Sequence, residues 1–264
     1  METFITSEFQ KGLLFINFEK PDKIILSTYD IDLTLFILEF YEPDISYDIY
    51  YWIKTNEPSF LPSNINLHQL NNNHCKFWYI ENKKQIRFII TSANITNIMI
   101  HNCLQSFCSI TCNKSKEFNN NLNYITTFKQ FFDIFNITLD YNLFQLLEKK
   151  LLFNIPNKIN CIEKWFLSQK NLLIDCNNIN FSYLPQLSKT FIVRDEIPPN
   201  YSSIISYFYK NHNEKNKIVK INFNKLFHYK LYYSDRCVLL SSNNFSYNYK
   251  NNFELGILLD GTII

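Results

Sequence analysis

Two stretches of this chain read as strands and are followed, each time, by a second strand of similar make. His74 to Ile80 (HCKFWYI) and Phe227 to Tyr233 (FHYKLYY) are rich in aromatic residues that fit a pleated surface. Ile86 to Thr91 (IRFIIT) and Cys237 to Leu240 (CVLL) come next and read the same way. Lys23 to Ser27 predicts an earlier strand, and Asp32 to Phe40 a helix. Leu143, Phe144, Leu146 and Leu147 stand near helical spacing and predict a helix over Tyr141 to Leu152. A further helix is predicted over Ser203 to Lys210, and a final strand over Phe253 to Leu259. Asn113 to Asn123 (NKSKEFNNNLN) is crowded with Asn and Lys and is the best linker. Strands interspersed with helices predict an α/β fold. The linker divides it into halves 1–115 and 116–264.

The strand pairs carry a repeated set of polar residues. His74-Cys75-Lys76 is followed by Thr91-Ser92-Ala93-Asn94, and His228-Tyr229-Lys230 by Ser241-Ser242-Asn243-Asn244. The Asn falls 20 residues after the first His and 16 after the second. Gln105 lies 11 residues beyond Asn94, and Glu254 lies 10 beyond Asn244. Residues i and i+2 of a strand share a face, so each His projects with its Lys. Both Asn residues fall at strand ends, where ligand sites of α/β folds lie. A His, Lys and Asn supplied twice implies two half-sites closing on one phosphate.

Composition narrows the alternatives. The chain has 264 residues, 46% hydrophobic, enough for one large domain or two small lobes with a substantial core. Its only glycines are Gly12, Gly256 and Gly261, too few and wrongly placed for a P-loop or a dinucleotide-binding turn. A net charge of +2 is too mild to establish nucleic-acid binding, though a local basic groove is compatible with it. The runs Glu81 to Lys84 and Glu148 to Lys150 read as solvated turns and helix faces. No secretory signal and no apolar run long enough to span a membrane is visible. Seven cysteines, an odd number without framework spacing, fit a reducing compartment. Asn94-Ile95-Thr96 and Asn244-Phe245-Ser246 match the glycosylation pattern, and glycans there would cover the proposed site. An intracellular protein is expected, with nucleus and cytoplasm not separated. His101, Cys103, Cys108 and Cys112 lack a C-x-x-C pair and read as ordinary thiols rather than a zinc site. His101 and His212 have no motif partners and read as surface or packing residues.

These residues resemble the phospholipase D superfamily, and within it the tyrosyl-DNA phosphodiesterase family. The Thr-Ser-Ala-Asn-Ile-Thr wording over 91–96 is similar to the family's, and Gln105 falls where it carries a supporting Gln. Phe253-Glu254-Leu255-Gly256 is similar to its aromatic-Glu-Leu-Gly strand. The resemblance covers about residues 74–105 and 228–258. Departures are the short step from Asn244 to Glu254, Asn243 where Ala is usual, and a small chain with little room for extensions that grip DNA and peptide. Asp235 and Glu81, each five residues after a motif Lys, read as turn residues.

The resemblance implies a phospholipase D-like fold: two pseudo-repeated α/β halves, sheets packed together, one active site at their interface. It implies a monomer without metal or organic cofactor. It makes His74 the nucleophile that forms a phosphohistidine, and His228 the general acid and then the general base. One imidazole is then neutral and the other protonated in the free enzyme. Lys76 and Lys230 would neutralise the phosphate, Asn94 and Asn244 donate to it, and Gln105 and Glu254 orient the imidazoles. Ser92, Ser242 and Ser246 shape strand ends rather than act as nucleophiles. The implied substrate is DNA with tyrosine or peptide on a 3′ phosphate, the debris of a stalled type IB topoisomerase, and the implied role is DNA repair. Phe77, Trp78, Tyr232 and Tyr247 flank the motifs and are candidate stacking residues for single-stranded DNA. Two alternatives stay open. One is another nuclease or phosphodiesterase of the superfamily, acting on oligonucleotides or lipids. The other is a non-catalytic nucleic-acid binding module.

Overall fold

The computed structural model describes residues 2–6, 11–101, 103–115, 125–169, 172–176, 190–194, 218–221, 226–228, 230–234, 236–242 and 251–260. Asn244, Tyr247, Ser246, Asp235, His212, the helix expected over 203–210 and most of the expected linker lie outside the described residues.

Among the described residues the strands form two sheets of eight. The first contains β1 (Glu2–Thr6), β2 (Lys23–Asp32), β3 (Ser46–Thr55), β4 (Ile65–Gln69), β5 (Phe77–Glu81), β6 (Gln85–Thr91) and β7 (Cys103–Asn113), with β13 (Leu226–Phe227) added on β7 off the main path. Its order is β1-β7-β6-β5-β2-β3-β4. The second contains β8 (Leu151–Ile155), β9 (Ile159–Asn160), β10 (Leu172–Cys176), β11 (Thr190–Arg194), β12 (Ile218–Ile221), β14 (Lys230–Ser234), β15 (Cys237–Ser241) and β16 (Glu254–Asp260). Its order is β12-β11-β10-β14-β15-β16-β8-β9. Laid side by side, the two orders are one topology. Three parallel strands (β2, β3, β4; β10, β11, β12) meet an antiparallel meander (β5, β6, β7; β14, β15, β16). The first strand of each half adds on the far side of the meander, β1 on β7 and β8 on β16, with the two-residue β9 beyond β8.

The core sits between the sheets. Phe77, Tyr79, Phe88, Ile90 and Ile110 of the first sheet share a cluster with Leu231, Leu240, Leu255 and Ile257 of the second. Phe131 and Phe132 of α4 (Ile125–Ile134), Phe135 just after it, and Leu143, Phe144 and Leu147 of α5 (Tyr141–Leu147) complete it. A second cluster covers the other face of the first sheet, where Leu26, Trp78, Ile80 and Ile89 meet Leu33, Leu35 and Phe36 of α2 (Leu33–Glu39). Asp32 caps α2 by accepting from Leu35 N at 2.9 Å. With both faces covered, β5 is apolar without alternation, as buried strands are.

Two expected elements are corrected. The helix predicted to Leu152 stops at Leu147, and Leu151–Ile155 becomes a strand paired with β16. Leu151, Phe153 and Ile155 all join the core between the sheets, and that burial outweighs the helical spacing upstream. The motif residues His74, Cys75 and Lys76 precede β5, which begins at Phe77. His228 likewise lies between β13 (Leu226–Phe227) and β14.

The reason is a reciprocal exchange between the halves. Asn73 bridges Phe253 in parallel, with His74 N donating to Phe253 O at 3.0 Å and Phe253 N to Asn72 O at 2.8 Å. In the other direction β13 pairs in parallel with the start of β7, Leu226 with Cys103 and Phe227 with Leu104. Each His follows its bridge by one residue, and so do Glu254 and Gln105. His74 therefore stands level with Glu254, and His228 with Gln105.

Gly256 lies on β16 opposite Ser241. A Cβ there would come within 2.8 Å of Leu239 Cδ1 and 3.1 Å of both Leu240 O and Ser241 Oγ. Gly256→Ala is expected to cost about 1–3 kcal/mol, because a backbone oxygen is among the atoms that must give way. The urea midpoint measures this, and an unchanged midpoint would mean that β15 yields freely.

Candidate active site

Each half locks the end of its site with one serine in the same way. In the first, Ser92 N donates to Ser106 O at 3.1 Å, Ser106 N to Ser92 Oγ at 2.9 Å, and Ser92 Oγ to Gln105 Oε1 at 2.8 Å. In the second, Ser242 N donates to Leu255 O at 2.8 Å, Leu255 N to Ser242 Oγ at 3.0 Å, and Ser242 Oγ to Glu254 Oε2 at 2.7 Å. The lysines also match. Lys76 and Lys230 are fully buried, and each Nζ donates to the carbonyl of its own His, at 3.1 and 2.7 Å.

The halves differ at the imidazoles. His74 Nδ1 lies 3.0 Å from the buried Glu254 carboxylate, which can only accept, so Nδ1 carries the proton and Nε2 keeps a lone pair. His228 Nδ1 donates to Ser92 O at 2.8 Å, and its Nε2 lies 3.2 Å from Lys230 Nζ. Each imidazole is thus anchored by the opposite half. The expectation for Gln105 is corrected: its amide donates to Met99 O at 3.0 Å, while its oxygen takes Ser92 Oγ. It bears on His228 through Ser92, whose carbonyl holds the ring. Asn94 follows two residues after Ser92; its Oδ1 is buried with no partner among the described residues.

Burial dominates the electrostatics. It pushes His74 below the ordinary imidazole value, with Glu254 opposing and Lys76 and Lys230 adding to the shift. It pushes His228 well below, reinforced by Lys230, Lys76 and His74. The contacts of His74 with Glu254 and of His228 with Ser92 O bring the two motifs together. Both imidazoles are thereby biased toward the neutral form, so the expected arrangement of one neutral and one protonated ring is favoured only at lower pH. Lys76 is pushed down to about 8 by burial, with Glu254 opposing. Burial opposes ionisation of Glu254, but His74, Lys76 and Ser242 outweigh it and hold the carboxyl below its usual value.

Several expected contributors lie elsewhere. Phe77, Trp78 and Tyr232 are fully buried, so none offers a ring face for stacking. Phe77 packs on Phe88 and Phe135, Trp78 on Phe36 and Phe40, and Tyr232 on Phe166. Glu81 ends β5 and pairs with Lys114 at 2.8 Å, four strand residues away from Phe77. His101 is exposed at the end of α3 (Asn97–His101). Cys108 and Cys112 take one side of β7 with the core, and Cys103 by parity takes the other.

The sequence reading missed Tyr29. Its ring stands edge-on to His74 at 5.1 Å between centroids, with Lys76 Nζ 5.8 Å from its centre and Trp52 on its far side at 5.3 Å. Nothing in the local pattern separates it from the other tyrosines of a strand; only the pairing of β2 with β5 places it there.

No family model matches the chain, and no curated protein matches it. Solved structures do. Yeast tyrosyl-DNA phosphodiesterase is 11% identical, with a TM-score of 0.67 over 98% of this chain and 89% of that one. A mutant of the same yeast enzyme gives 12%, 0.67, 98% and 87%. Polyphosphate kinase from Porphyromonas gingivalis is 10% identical, with a TM-score of 0.59 over 98% of this chain and 47% of that one. At such identities the likeness is one of fold, and it agrees with the duplicated topology and reciprocal bridges described above: the chain has the phospholipase D-like fold of the tyrosyl-DNA phosphodiesterases.

Proposed function

We propose that the chain is a phosphodiesterase working through a covalent phosphohistidine, with DNA carrying tyrosine or peptide on its 3′ phosphate as substrate. The observation that carries this reading is the asymmetry of a symmetric site. Two His-Lys pairs converge from opposite halves, and among the described residues only His74 is backed by a carboxylate. A carboxylate on Nδ1 raises the basicity of Nε2 and suits it to attack phosphorus. The His74–phosphorus bond forms as the phosphorus–phenolate oxygen bond breaks, and the phenolate takes the proton of His228 Nε2. His228, now neutral, takes a proton from water. The resulting hydroxide attacks phosphorus and the bond to His74 breaks, returning the electron pair to Nε2. Lys76 and Lys230 balance the phosphate charge, and Asn94 and Asn244 donate to its oxygens. One chain supplies both half-sites, which supports action as a monomer.

His228 starts neutral in the free site, and an incoming phosphate anion raises its proton affinity. The active free enzyme has one imidazole protonated and one neutral, with both values depressed. The profile of kcat/KM is therefore expected to peak below pH 6.5, and that of kcat at higher pH. The test is cleavage of a 3′-phosphotyrosyl oligonucleotide in EDTA across pH, beside unmodified DNA and phosphatidyl substrates. A 3′-phosphate end with that profile supports the reading. Cleavage of the other diesters alone would keep the two-histidine chemistry and reject the substrate. No turnover on any of them would favour a binding module.

A further inference from the structure

Asn73 is fully buried immediately before the nucleophile, and its carboxamide is used at both ends. Oδ1 accepts from Ser27 Oγ at 3.2 Å and from Cys75 N at 3.2 Å. Nδ2, with two hydrogens, faces three acceptors, Ser27 Oγ at 3.0 Å, Thr28 O at 3.2 Å and Tyr50 O at 3.2 Å. Ser27 Oγ also reaches Cys75 O at 3.2 Å. The bond to Cys75 N closes a tight turn around His74 itself. The bonds to Thr28 and Tyr50 tie that turn to β2 and β3 of its own half. Meanwhile the backbone of Asn73 bridges Phe253, the residue before Glu254. One residue thus fixes the His74 backbone against both halves, and with it the 3.0 Å contact between His74 and Glu254.

The second copy shows that the exchange of strands does not itself need this knot. The position before His228 is Phe227, which makes the same parallel bridge, to Leu104, with a side chain that can form no hydrogen bond. Among the described residues the polar knot occurs in the half whose imidazole meets a carboxylate. We infer that Asn73 is a positioning residue that holds His74 in register with Glu254, so that Nδ1 keeps its proton and Nε2 stays the free nitrogen. The benefit for catalysis rests on the phosphohistidine reading above; the effect on the imidazole does not.

The test is the ring-nitrogen NMR spectrum of His74 in wild type, Asn73→Ser and Ser27→Ala, with the single-turnover rate on the 3′-phosphotyrosyl oligonucleotide. In Asn73→Ser the Glu254-bonded Nδ1 proton signal of His74 is expected to be lost and the two tautomers to mix, with the His228 spectrum unchanged. The rate of phosphohistidine formation per folded enzyme is expected to fall about 10- to 100-fold, the scale of an ångström-sized misplacement. Ser27→Ala, which removes the hydroxyl that meets both ends of the carboxamide, moves both readouts the same way by less. A folded Asn73→Ser with an unchanged His74 spectrum overturns the inference. If that variant does not fold, an unchanged spectrum in Ser27→Ala overturns it. A wild type that cleaves nothing rejects the proposed function, and the spectra still decide the role of Asn73.

Discussion

His228→Ala is expected to leave the oligonucleotide attached to the protein through His74. The two chemical steps depend on His228 unequally. In the first, its proton goes to a phenolate, which leaves tolerably well unassisted because a tyrosine hydroxyl titrates near ~10. In the second, water must lose a proton as it attacks, and the position that would take it is empty. General acid-base groups contribute about 10²- to 10⁴-fold, and the second step bears more of that loss. The adduct therefore forms more slowly than in wild type but decays more slowly still. A denaturing gel of the quenched reaction should show a protein–DNA band that is labile to acid and stable to alkali, as a phosphorus–nitrogen bond is. His74→Ala should give neither band nor product. A band in His74→Ala and none in His228→Ala would reverse the two roles. It would also mean that the Glu254 contact, at 3.0 Å, marks the acid rather than the nucleophile.

The motif residues were legible because a strand's two-residue period forces His74 with Lys76 and His228 with Lys230 onto common faces. The structure keeps that consequence although His74 to Lys76 precede β5 and His228 precedes β14, since the lead-ins pair with the opposite half. That pairing was not legible. It joins Asn73 to Phe253 and Phe227 to Leu104, residues with no local signal for each other. Gln105 shows the same gap: its place beside His228 follows from the repeat, but its turn towards Ser92 and Met99 depends on how the strand ends are bonded. The aromatics misled for a plainer reason. Phe77, Trp78 and Tyr232 flank the motifs in the chain, yet both faces of β5 are covered and Tyr232 of β14 is buried against Phe166. Composition cannot say which ring of a Phe- and Tyr-rich chain stays open; half-buried Tyr29 stands beside His74, with half-buried Trp52 of the adjacent strand against Tyr29.

Lys76→Met is expected to abolish turnover and, in the same protein, to raise stability at pH 7. Lys76 is fully buried, and burial lowers it from 10.5 to about 8 although the Glu254 carboxylate pulls the other way. The folded state therefore resists the ammonium ion more than the unfolded state does. Between about 8 and 10.5 the unfolded chain binds more protons, so wild-type stability rises with pH through that window. Below it the charged side chain carries the whole penalty, about 3 kcal/mol for a shift of this size. Methionine keeps the unbranched stem and drops the charge, and part of the gain is lost because Glu254 gives up one of its attractions. The expected net gain is about 1–2 kcal/mol, seen as a higher thermal midpoint at pH 7 that converges with wild type as pH approaches 10. Inorganic phosphate should raise the wild-type midpoint, because an anion relieves the buried charge, and should do little for the variant. Turnover should fall by about 10³-fold or more, since the ammonium meets the phosphate in the pentacoordinate state. A Lys76→Met protein less stable than wild type at pH 7 would mean that the ion pair with Glu254 outweighs burial. The site would then be held together by the charges it uses, and not held in tension until phosphate arrives.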